Sequence, residues 1–478
     1  MPRKRVRKPT YEADIVGPIS RVDERDIVFA RADLFRRFKD GDPERERYYE
    51  AHPERRAYDE RIAGMRRIGG GGGEYTPLLD GIFDAVHDIA AEHWVDGSSA
   101  EERTMLGPAD AAARVKQLAK RLGAEIVGVG PLRQEWVYSR VGRSFGNAEG
   151  FDRWGSPIDL TRHTTAVAMA FPMDSDFLRA APEFPTVLAT ATAYAVSAWA
   201  SIRLAKYIRG LGYSARAHHL YNYRVLAVPV AVDCGIGELS RAGFLMTRKL
   251  GLGLRLGIVT TDLPMTHDEP VDQGIQSFCE RCEICAENCP SGAIPFGPKV
   301  EHNGVRKWKL DEQKCYQYWH VVGTDCAVCM STCPWTKPPS WLHRSMLYAA
   351  AISGPHQRLM VIMEKLFYGN PAKSRRGLMV GLESLRPLHL RIHTSAMAAT
   401  VAGLLGFALW WGGRVIPPSG GIRAWTLFLA ALLCTLSGVA VVWTLIAEHA
   451  RRAAAIGAAL FVGASIALAA TFLQLSGL

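Results

Sequence analysis

Residues 278–290 read Phe-Cys-Glu-Arg-Cys-Glu-Ile-Cys-Ala-Glu-Asn-Cys-Pro, and a second cysteine run downstream ends in the same Cys-Pro pair. In the spacing Cys-x2-Cys-x2-Cys-x3-Cys-Pro, three thiolates wrap one [4Fe–4S] cluster and the fourth, before the proline, ligates the other cluster. Because two such runs complete each other, the sequence predicts two clusters and electron transfer through them. The eight predicted ligands are Cys279, Cys282, Cys285, Cys289, Cys315, Cys326, Cys329 and Cys333.

A pair of zinc sites is the main alternative, because Cys-x2-Cys also suits tetrahedral zinc. Zinc would leave the third and fourth cysteine of each run, and both Cys-Pro pairs, unexplained. The second run departs from the simple form, since ten residues separate Cys315 from Cys326. We expect this inserted segment to be a loop that shields or exposes its cluster.

Length, charge and the remaining cysteines limit the class of protein. A chain of 478 residues predicts two or three domains, at about 100–200 residues per domain. The net charge of +10 is dispersed among acidic residues, which argues against a nucleic-acid partner. An anionic bilayer surface accounts better for the excess, because the last ninety or so residues change in character. Cys234 and Cys434 form no paired framework, and no apolar run follows the basic residues 1–8. We therefore expect a reducing compartment and no export signal.

The last ninety or so residues change in character and predict a membrane domain at 393–478. Three apolar runs, 395–411, 425–446 and 453–475, contain no charged residue, as expected of transmembrane helices rather than a buried helical hairpin. More basic residues flank the side facing the soluble part than the loop that holds Arg414 and Arg423. This bias predicts a multi-pass protein of the inner (cytoplasmic) membrane, with its catalytic part in the cytoplasm. His389, His393 and His449 are polar anchors, or alternatively ligands of a haem or quinol site.

Upstream of the clusters, the hydrophobic pattern alternates between helix and strand. Residues 1–108 are rich in arginine and include Gly69–Gly73, which we interpret as a linker. A helix begins near 109, followed by strands at 125–130 and 164–171, a long helix at 188–211 and a strand at 224–232. We expect an α/β or α+β catalytic domain at 109–270, a ferredoxin-like domain at 271–345 and a juxtamembrane segment at 346–392.

Segments just before the cysteines resemble the corrinoid (cobalamin)-dependent reductive dehalogenase family. They read Asp233-Cys-Gly-Ile-Gly-Glu-Leu-Ser-Arg241-Ala-Gly243 and Arg255-Leu-Gly-Ile-Val-Thr-Thr-Asp262-Leu-Pro264, and the resemblance extends from Tyr49 through Cys333. It implies a nitroreductase-like domain with a base-off cobalamin, whose cobalt takes no ligand from the protein. Epoxyqueuosine reductase is similar in the same regions.

The resemblance also implies roles for individual residues. Tyr194 matches the family's proton donor, Arg255 its cationic partner, and Asn222 is a plausible third polar contact. A tyrosine ordinarily has a pKa near 10, and an adjacent guanidinium favours the tyrosinate that remains after proton donation. The positions expected to approach the cofactor are Gly235, Gly237, Gly243 and His218. Without the resemblance, the glycines would be read as turn formers, Tyr194 as a packing residue and Arg255 as a surface residue.

These features predict a membrane-anchored reductive dehalogenase that takes electrons from a ferredoxin or a membrane quinol. Its expected partners are an organohalide and membrane lipid, with no nucleic acid. Two alternatives stay open. The first is a tRNA-modifying enzyme of the epoxyqueuosine reductase type, whose acid is an aspartate; no acidic residue lies between Thr186 and Leu211. The second is a non-catalytic electron-transfer subunit, which would bind clusters without a corrinoid.

Overall fold

The computed structural model describes residues 4–38, 41–143, 153–337, 341–350 and 354–368. The chain divides into two compact units, Met1–Val361 and Ile362–Leu478. The first unit contains both cysteine runs and the segments that resemble the dehalogenases. The predicted spans, together with His389, His393 and His449, lie outside the described residues, so the membrane domain and the domain boundaries stay predictions.

The described residues contain ten strands and fifteen α-helices. The strands are β1 Lys4–Arg5, β2 Ile126–Pro131, β3 Thr165–Pro172, β4 Ala215–His218, β5 Glu238–Leu239, β6 Leu245–Met246, β7 Leu254–Thr261, β8 Val271–Asp272, β9 Val300–His302 and β10 Val305–Lys307. The helices before the cysteine runs are α1 Val28–Arg37, α2 Pro43–Ala51, α3 Pro53–Ala63, α4 Thr76–Asp88, α5 Glu92–Val95, α6 Pro108–Arg121, α7 Ser175–Arg179, α8 Phe184–Gly210 and α9 Ala227–Asp233. The remaining helices are α10 Ile275–Arg281, α11 Ile284–Glu287, α12 Glu312–Val322, α13 Val328–Thr332, α14 Trp341–Ala350 and α15 Gly354–Tyr368.

A four-stranded antiparallel sheet in the order β2-β3-β7-β4 forms the centre of the first unit. Side chains alternate between its two faces, as a strand requires. Ala166, Ala168 and Ala170 of β3 belong to the core that contains α9. Val167 and Met169 point to the opposite core, which contains α6 and α8. Both faces of the sheet are therefore covered by helices, as in a layered α+β domain.

Helix α8 lies on one face of this sheet and contacts β3, β4 and β7. A Cβ on Gly257 of β7 would lie 2.3 Å from Ser201 Oγ and 3.0 Å from the Ser197 carbonyl oxygen of α8. Glycine at this position therefore lets helix and strand approach closely. Among the described helices, α8 alone is long and apolar enough to cross a bilayer, and 67% of its most apolar window is buried within the protein.

Most elements predicted upstream of the cysteines are confirmed, with one clear error. Residues 224–232, predicted as a strand, overlap the helix α9, Ala227–Asp233. Val228, Val230 and Val232 alternate as in a strand, but Pro229 lies between them. Proline fits the first turn of a helix, where its missing N–H is not needed, whereas in an interior strand it removes a ladder hydrogen bond.

Two segments predicted to be loops or linkers are parts of the folded structure. The Gly69 N–H donates to the Gly323 carbonyl oxygen over 2.7 Å, so the glycine run packs against the end of α12 and does not act as a free linker. The segment between Cys315 and Cys326 is mostly the helix α12, which ends at Gly323 in a left-handed conformation. Cys315 thus lies in the first turn of a helix, and the expectation of an inserted loop was wrong.

Candidate functional site

The eight cysteines fall into two sets that exchange their last members. The pKa of Cys285 is raised by burial and, after that, by its neighbours Cys279, Cys333 and Cys282, so the final cysteine of the second run joins the first three of the first run. Cys329 interacts most strongly with Cys326, Cys315 and Cys289, which is the converse exchange. This is the crossed arrangement that the spacing predicts for two clusters. We call these groups the first set (Cys279, Cys282, Cys285, Cys333) and the second set (Cys289, Cys315, Cys326, Cys329).

The surroundings of the two sets suit a polynuclear cationic ligand. Burial raises the pKa of Cys279, Cys315 and Cys326 to about 12, so a bound metal ion or cluster would be needed to keep these groups as thiolates. Within the part of the chain that the structure describes, no three His, Cys, Asp or Glu side chains converge as they would around a single ion. The exchange of Cys289 and Cys333 between the two runs favours two clusters over two zinc sites.

A bracket formed by Glu238 and Arg241 holds the loop of the first set. The Glu238 carboxylate accepts hydrogen bonds from the backbone N–H groups of Gln273 and Gln276, at the start of α10. Arg241, only 1% exposed, donates from Nε and Nη2 to the Cys279 carbonyl oxygen at 3.0 and 2.9 Å. The Gly-Glu-x-x-Arg segment therefore acts on the backbone around the first set.

We expect Arg241→Lys to lose part of the bound iron. Arg241 Nη1 also donates to the carbonyl oxygens of Pro295 and Gly297, at 3.0 and 2.9 Å, and a lysine cannot reproduce this planar fork. Iron should fall from about eight toward about four atoms per chain, as measured by colorimetric iron assay. The control Arg306→Lys, at an exposed position of β10, should keep its iron. Equal iron in both variants would contradict the role of Arg241 in holding the loop of the first set.

Tyr194 and Arg255 meet between α8 and β7. The Arg255 Cζ atom lies 5.0 Å from the centroid of the Tyr194 ring, a cation–π contact. Arg255 lies on the face of β7 that packs on α8, because it is two residues before Gly257 and side chains alternate along a strand. The structure thus brings together the two residues that the resemblance pairs as proton donor and cationic partner.

Two further residues complete this group. Arg255 Nη2 donates to Thr190 Oγ1 at 2.7 Å and to Asp325 Oδ2 at 3.3 Å, and the Thr190 hydroxyl donates to the same Asp325 oxygen. Thr190 is one helical turn before Tyr194, and Asp325 directly precedes Cys326 of the second set. The Tyr194–Arg255 pair is therefore connected to the loop of the second set through a buried carboxylate.

The chemistry of this group fits a cofactor and substrate that need a proton and a compensating charge. Tyr194 is half-buried, and its hydroxyl makes no hydrogen bond to the described residues. Arg255 Nε and Asp325 Oδ1 are buried and also lack a hydrogen-bond partner among these residues. Buried polar atoms are ordinarily paired, so unused donors and acceptors next to a free phenol suit a bound group.

The three glycines predicted to approach the cofactor contact protein. Gly235 has a φ of 70°, and a Cβ there would lie 2.4 Å from the Glu269 carbonyl oxygen. A Cβ on Gly237 would meet the Met246 carbonyl oxygen at 2.5 Å, and one on Gly243 would meet Leu310 at 3.3 Å. These contacts support the turn-forming alternative, and the cofactor role of the three glycines stays a prediction.

His218 is buried and uses both ring nitrogens within the protein. Its Nδ1 accepts from the Arg224 backbone N–H at 3.1 Å, and its Nε2 lies 2.9 Å from Thr260 Oγ1. Burial lowers the pKa of His218 well below its ordinary value, and the nearby Arg216 adds to this effect. A neutral imidazole engaged on both sides has no donor left for a corrinoid amide. The arrangement therefore gives the predicted cofactor contact of His218 no support, and that contact stays a prediction.

Asn222 belongs to a buried polar network away from Tyr194. Its amide donates to the Ala90 carbonyl oxygen at 2.8 Å and to Glu92 Oε2 at 3.2 Å, and its Oδ1 accepts from Arg216 Nη2 at 2.9 Å. All of its polar atoms thus have protein partners. The structure does not bring Asn222 into contact with Tyr194 or Arg255, and its role as a third polar contact stays a prediction.

Glu92→Gln should destabilise the protein at neutral pH. Burial raises the pKa of Glu92, but Arg216, Arg224 and Arg153 outweigh it and lower that pKa from 4.5 to about 2. A lowered pKa stabilises the fold above pH 4.5, and this stability is lost as the pH falls toward 2. We expect the free energy of unfolding to fall by roughly 1–3 kcal/mol at pH 7, as measured by urea unfolding. The difference between variant and wild type should become smaller below about pH 4.5. Glu101→Gln, at an exposed position, is the control, and equal midpoints at pH 7 would refute the effect.

Sequence reasoning missed Thr190 and Asp325, and treated Glu238 and Arg241 only as marks of a family resemblance. An acidic residue directly before a cluster cysteine was the one available sign for Asp325. For Thr190, the sign was its spacing of four residues from Tyr194, which places both on one helix face.

Comparison with known proteins agrees with this description. Residues 278–337 match the family model of the 4Fe-4S dicluster domain. The tetrachloroethene reductive dehalogenase of Dehalobacter restrictus is 29% identical over 339 residues, which cover 59% of this chain and 60% of that protein. The epoxyqueuosine reductase of Salmonella typhimurium is 26% identical over 129 residues, covering 24% of this chain and 30% of that protein.

A solved structure of the catabolic reductive dehalogenase NpRdhA, in complex with 3-bromo-4-hydroxybenzoic acid, has a similar fold. It is 25% identical with a TM-score of 0.61, over 77% of this chain and 49% of that one. The chain thus spans about half to 60% of the length of the relatives that it matches. The predicted resemblance is confirmed: over this shared part, the chain is similar in sequence and in fold to the reductive dehalogenases.

Proposed function

We propose that this protein removes halide from an organohalide by the balanced reaction R–X + 2 e⁻ + H⁺ → R–H + X⁻. The carbon–halogen bond breaks, the halide leaves with its electron pair, and the carbon takes up a proton. The enzyme must therefore supply two electrons and one acid. The two cysteine sets and the Tyr194–Arg255 pair match these two requirements.

The observation that carries this proposal is the Tyr194–Arg255 contact, linked by Asp325 to a cluster loop. A phenol that loses its proton becomes an anion, and a guanidinium 5.0 Å from the ring stabilises this charge. Tyr194 is only half-buried, so it can recover a proton from solvent after each turnover. Arg255, whose side chain is 10% exposed, stays in place because Asp325 pairs with it.

The cofactors in this proposal are two [4Fe–4S] clusters and a base-off corrinoid. The first and second sets would each hold one cluster, and their proximity lets electrons pass between them. A bound corrinoid would supply a low-potential cobalt that attacks or ligates the halogen. Tyr194 and Arg255 would face the substrate, as a general acid must lie within hydrogen-bond reach of the atom that it protonates.

The substrate class, electron donor and location extend the same proposal. A relative solved with a brominated hydroxybenzoate supports halogenated phenols or benzoates as first candidates, with chlorinated alkenes next because of the tetrachloroethene enzymes. The three apolar runs after residue 393 favour attachment to the inner membrane with the catalytic part in the cytoplasm. Electrons would then come from a membrane quinol or a ferredoxin.

The test is cofactor analysis and turnover of the protein purified without oxygen and supplied with cobalamin. We expect about eight iron atoms and about one cobalt per chain, with halide release from brominated phenols when a low-potential reductant is present. Iron without cobalt would instead indicate the electron-transfer subunit. Cobalt with no halide release, but with turnover of an epoxyqueuosine-containing tRNA stem-loop, would indicate the tRNA-modifying alternative.

A further inference from the structure

We propose that Asp325 is a positioning residue that, together with Thr190, holds Arg255 against Tyr194 and couples this pair to the loop of the second set. The inference rests on the proposed function and deepens it by naming a residue that acts through Arg255. Among the described residues, the Asp325 side chain hydrogen-bonds Thr190 and Arg255 and makes no hydrogen bond to the Tyr194 phenol or to a cysteine thiol. Its effect must therefore pass through the groups that it binds.

The first support is the shared use of one carboxylate oxygen. Asp325 Oδ2 accepts from Arg255 Nη2 at 3.3 Å and from the Thr190 hydroxyl, while the same Arg255 nitrogen donates to Thr190 Oγ1 at 2.7 Å. The three groups form a closed triangle. This triangle anchors Arg255 Nη2, and Nη1 donates to the Leu254 carbonyl oxygen at 3.1 Å. With both terminal nitrogens held, the planar face of the guanidinium stays against the Tyr194 ring.

The second support is that the position of Asp325 is itself fixed from both sides. Thr324 Oγ1 donates to the Pro182 carbonyl oxygen at 2.5 Å, just before α8, and accepts from the Cys326 N–H at 3.1 Å. Cys326 and Ala327 have φ values of 62° and 52°, a left-handed conformation that non-glycine residues adopt only where their surroundings impose it. The loop therefore presents Asp325 in one orientation.

Arg255 and Asp325 also form a buried ion pair. The side chains of Arg255 and Asp325 are 10% and 5% exposed, so each is the compensating charge for the other. Removing the carboxylate leaves a buried guanidinium without its anionic partner, and it would move toward other acceptors or water. A change at Asp325 should therefore act on turnover without altering the atoms that hold iron.

The kinetic test compares Asp325→Ala and Asp325→Asn with the wild type, fully loaded with iron and cobalamin. Asp325→Ala should lower kcat by about 10²-fold with little change in KM, since a displacement of about 1 Å in a positioning group has this effect. Asp325→Asn keeps an oxygen for Thr190 and should retain more activity. Asp311→Asn, an N-cap close to the second set with no contact to Arg255, should match the wild type.

A double-mutant cycle then tests whether Asp325 acts through Arg255. In an Arg255→Ala background, Asp325→Ala should add less than about a twofold further loss, because the two side chains form one unit. Wild-type turnover in Asp325→Ala, or fully additive losses in the double variant, would overturn the inference. If the wild type itself releases no halide, the proposed function fails. The inference about Asp325 is then tested by the redox potentials of the clusters, which do not depend on turnover.

The second test needs no corrinoid. In protein loaded with iron only, an EPR-monitored redox titration should show a higher midpoint potential for one cluster in Asp325→Asn, because a negative charge near it is lost. Arg255→Ala should shift the same potential downward, and the double variant should return toward the wild-type value. Unchanged potentials in both single variants would show that no charged pair lies beside that cluster, whatever the protein catalyses.

Discussion

Replacing Tyr194 by phenylalanine is expected to lower kcat by about 10²–10⁴-fold, the usual contribution of a general acid. Phenylalanine keeps the ring on which the Arg255 guanidinium lies at 5.0 Å, so the cation–π contact and the Asp325–Arg255 pair should persist. The loss would then come from the missing proton alone. Iron and cobalt contents and KM should stay at wild-type values, which separates a chemical effect from a folding or loading defect.

The matched control for this variant is Tyr213→Phe. Tyr213 follows α8 and is buried in the core beside the C-terminal half of this helix, where its hydroxyl lies 3.4 Å from the Thr104 carbonyl oxygen. The cluster cysteines share a different core with its N-terminal half. This change also removes one phenolic oxygen from the same region of the chain, and it should leave kcat unaltered. Full turnover in Tyr194→Phe would instead show that another group donates the proton.

What the sequence could predict depended on how local each signal was. The cluster ligands were predictable because cysteine spacing over a dozen residues directly determines which thiolates share a loop. The strand Thr165–Pro172 and the helix Phe184–Gly210 were predictable because their apolar patterns are long. The helix within the segment 224–232 was not predictable, because it has only seven residues and its alternating valines give the pattern of a strand.

The surroundings of the candidate site could not be predicted from local signals. Asp325 and Thr190 are 135 residues apart, and Arg255 is 65 residues from Thr190. Only the packing of α8 on β7, permitted by Gly257, and the docking of the cluster loop on α8 bring these groups together. In the same way, Arg241 reaches the backbone of Cys279 across 38 residues. Contacts of this kind leave no periodicity or spacing in the sequence.

The crossed ligation of the two sets gives the second large effect. We expect Cys289→Ser combined with Cys326→Ser to damage one cluster, because both belong to the second set. Cys333→Ser combined with Cys326→Ser should damage both clusters, because Cys333 belongs to the first set with Cys285. Iron should therefore stay near about four atoms per chain in the first double variant and fall well below this in the second.

Each double variant serves as the control for the other, since both lose two thiols and share Cys326→Ser. If each cysteine run held its own cluster without exchange, the two results would be reversed, because Cys326 and Cys333 come from one run and Cys289 from the other. Spin quantitation by EPR after reduction separates these cases even where damaged clusters retain some iron. Turnover should be lost in both variants, because both damage the second set, whose loop carries the Asp325 that binds Arg255. Crossed ligation thus joins the two cysteine runs into a single unit, and this explains why neither run would be expected to hold a complete cluster alone.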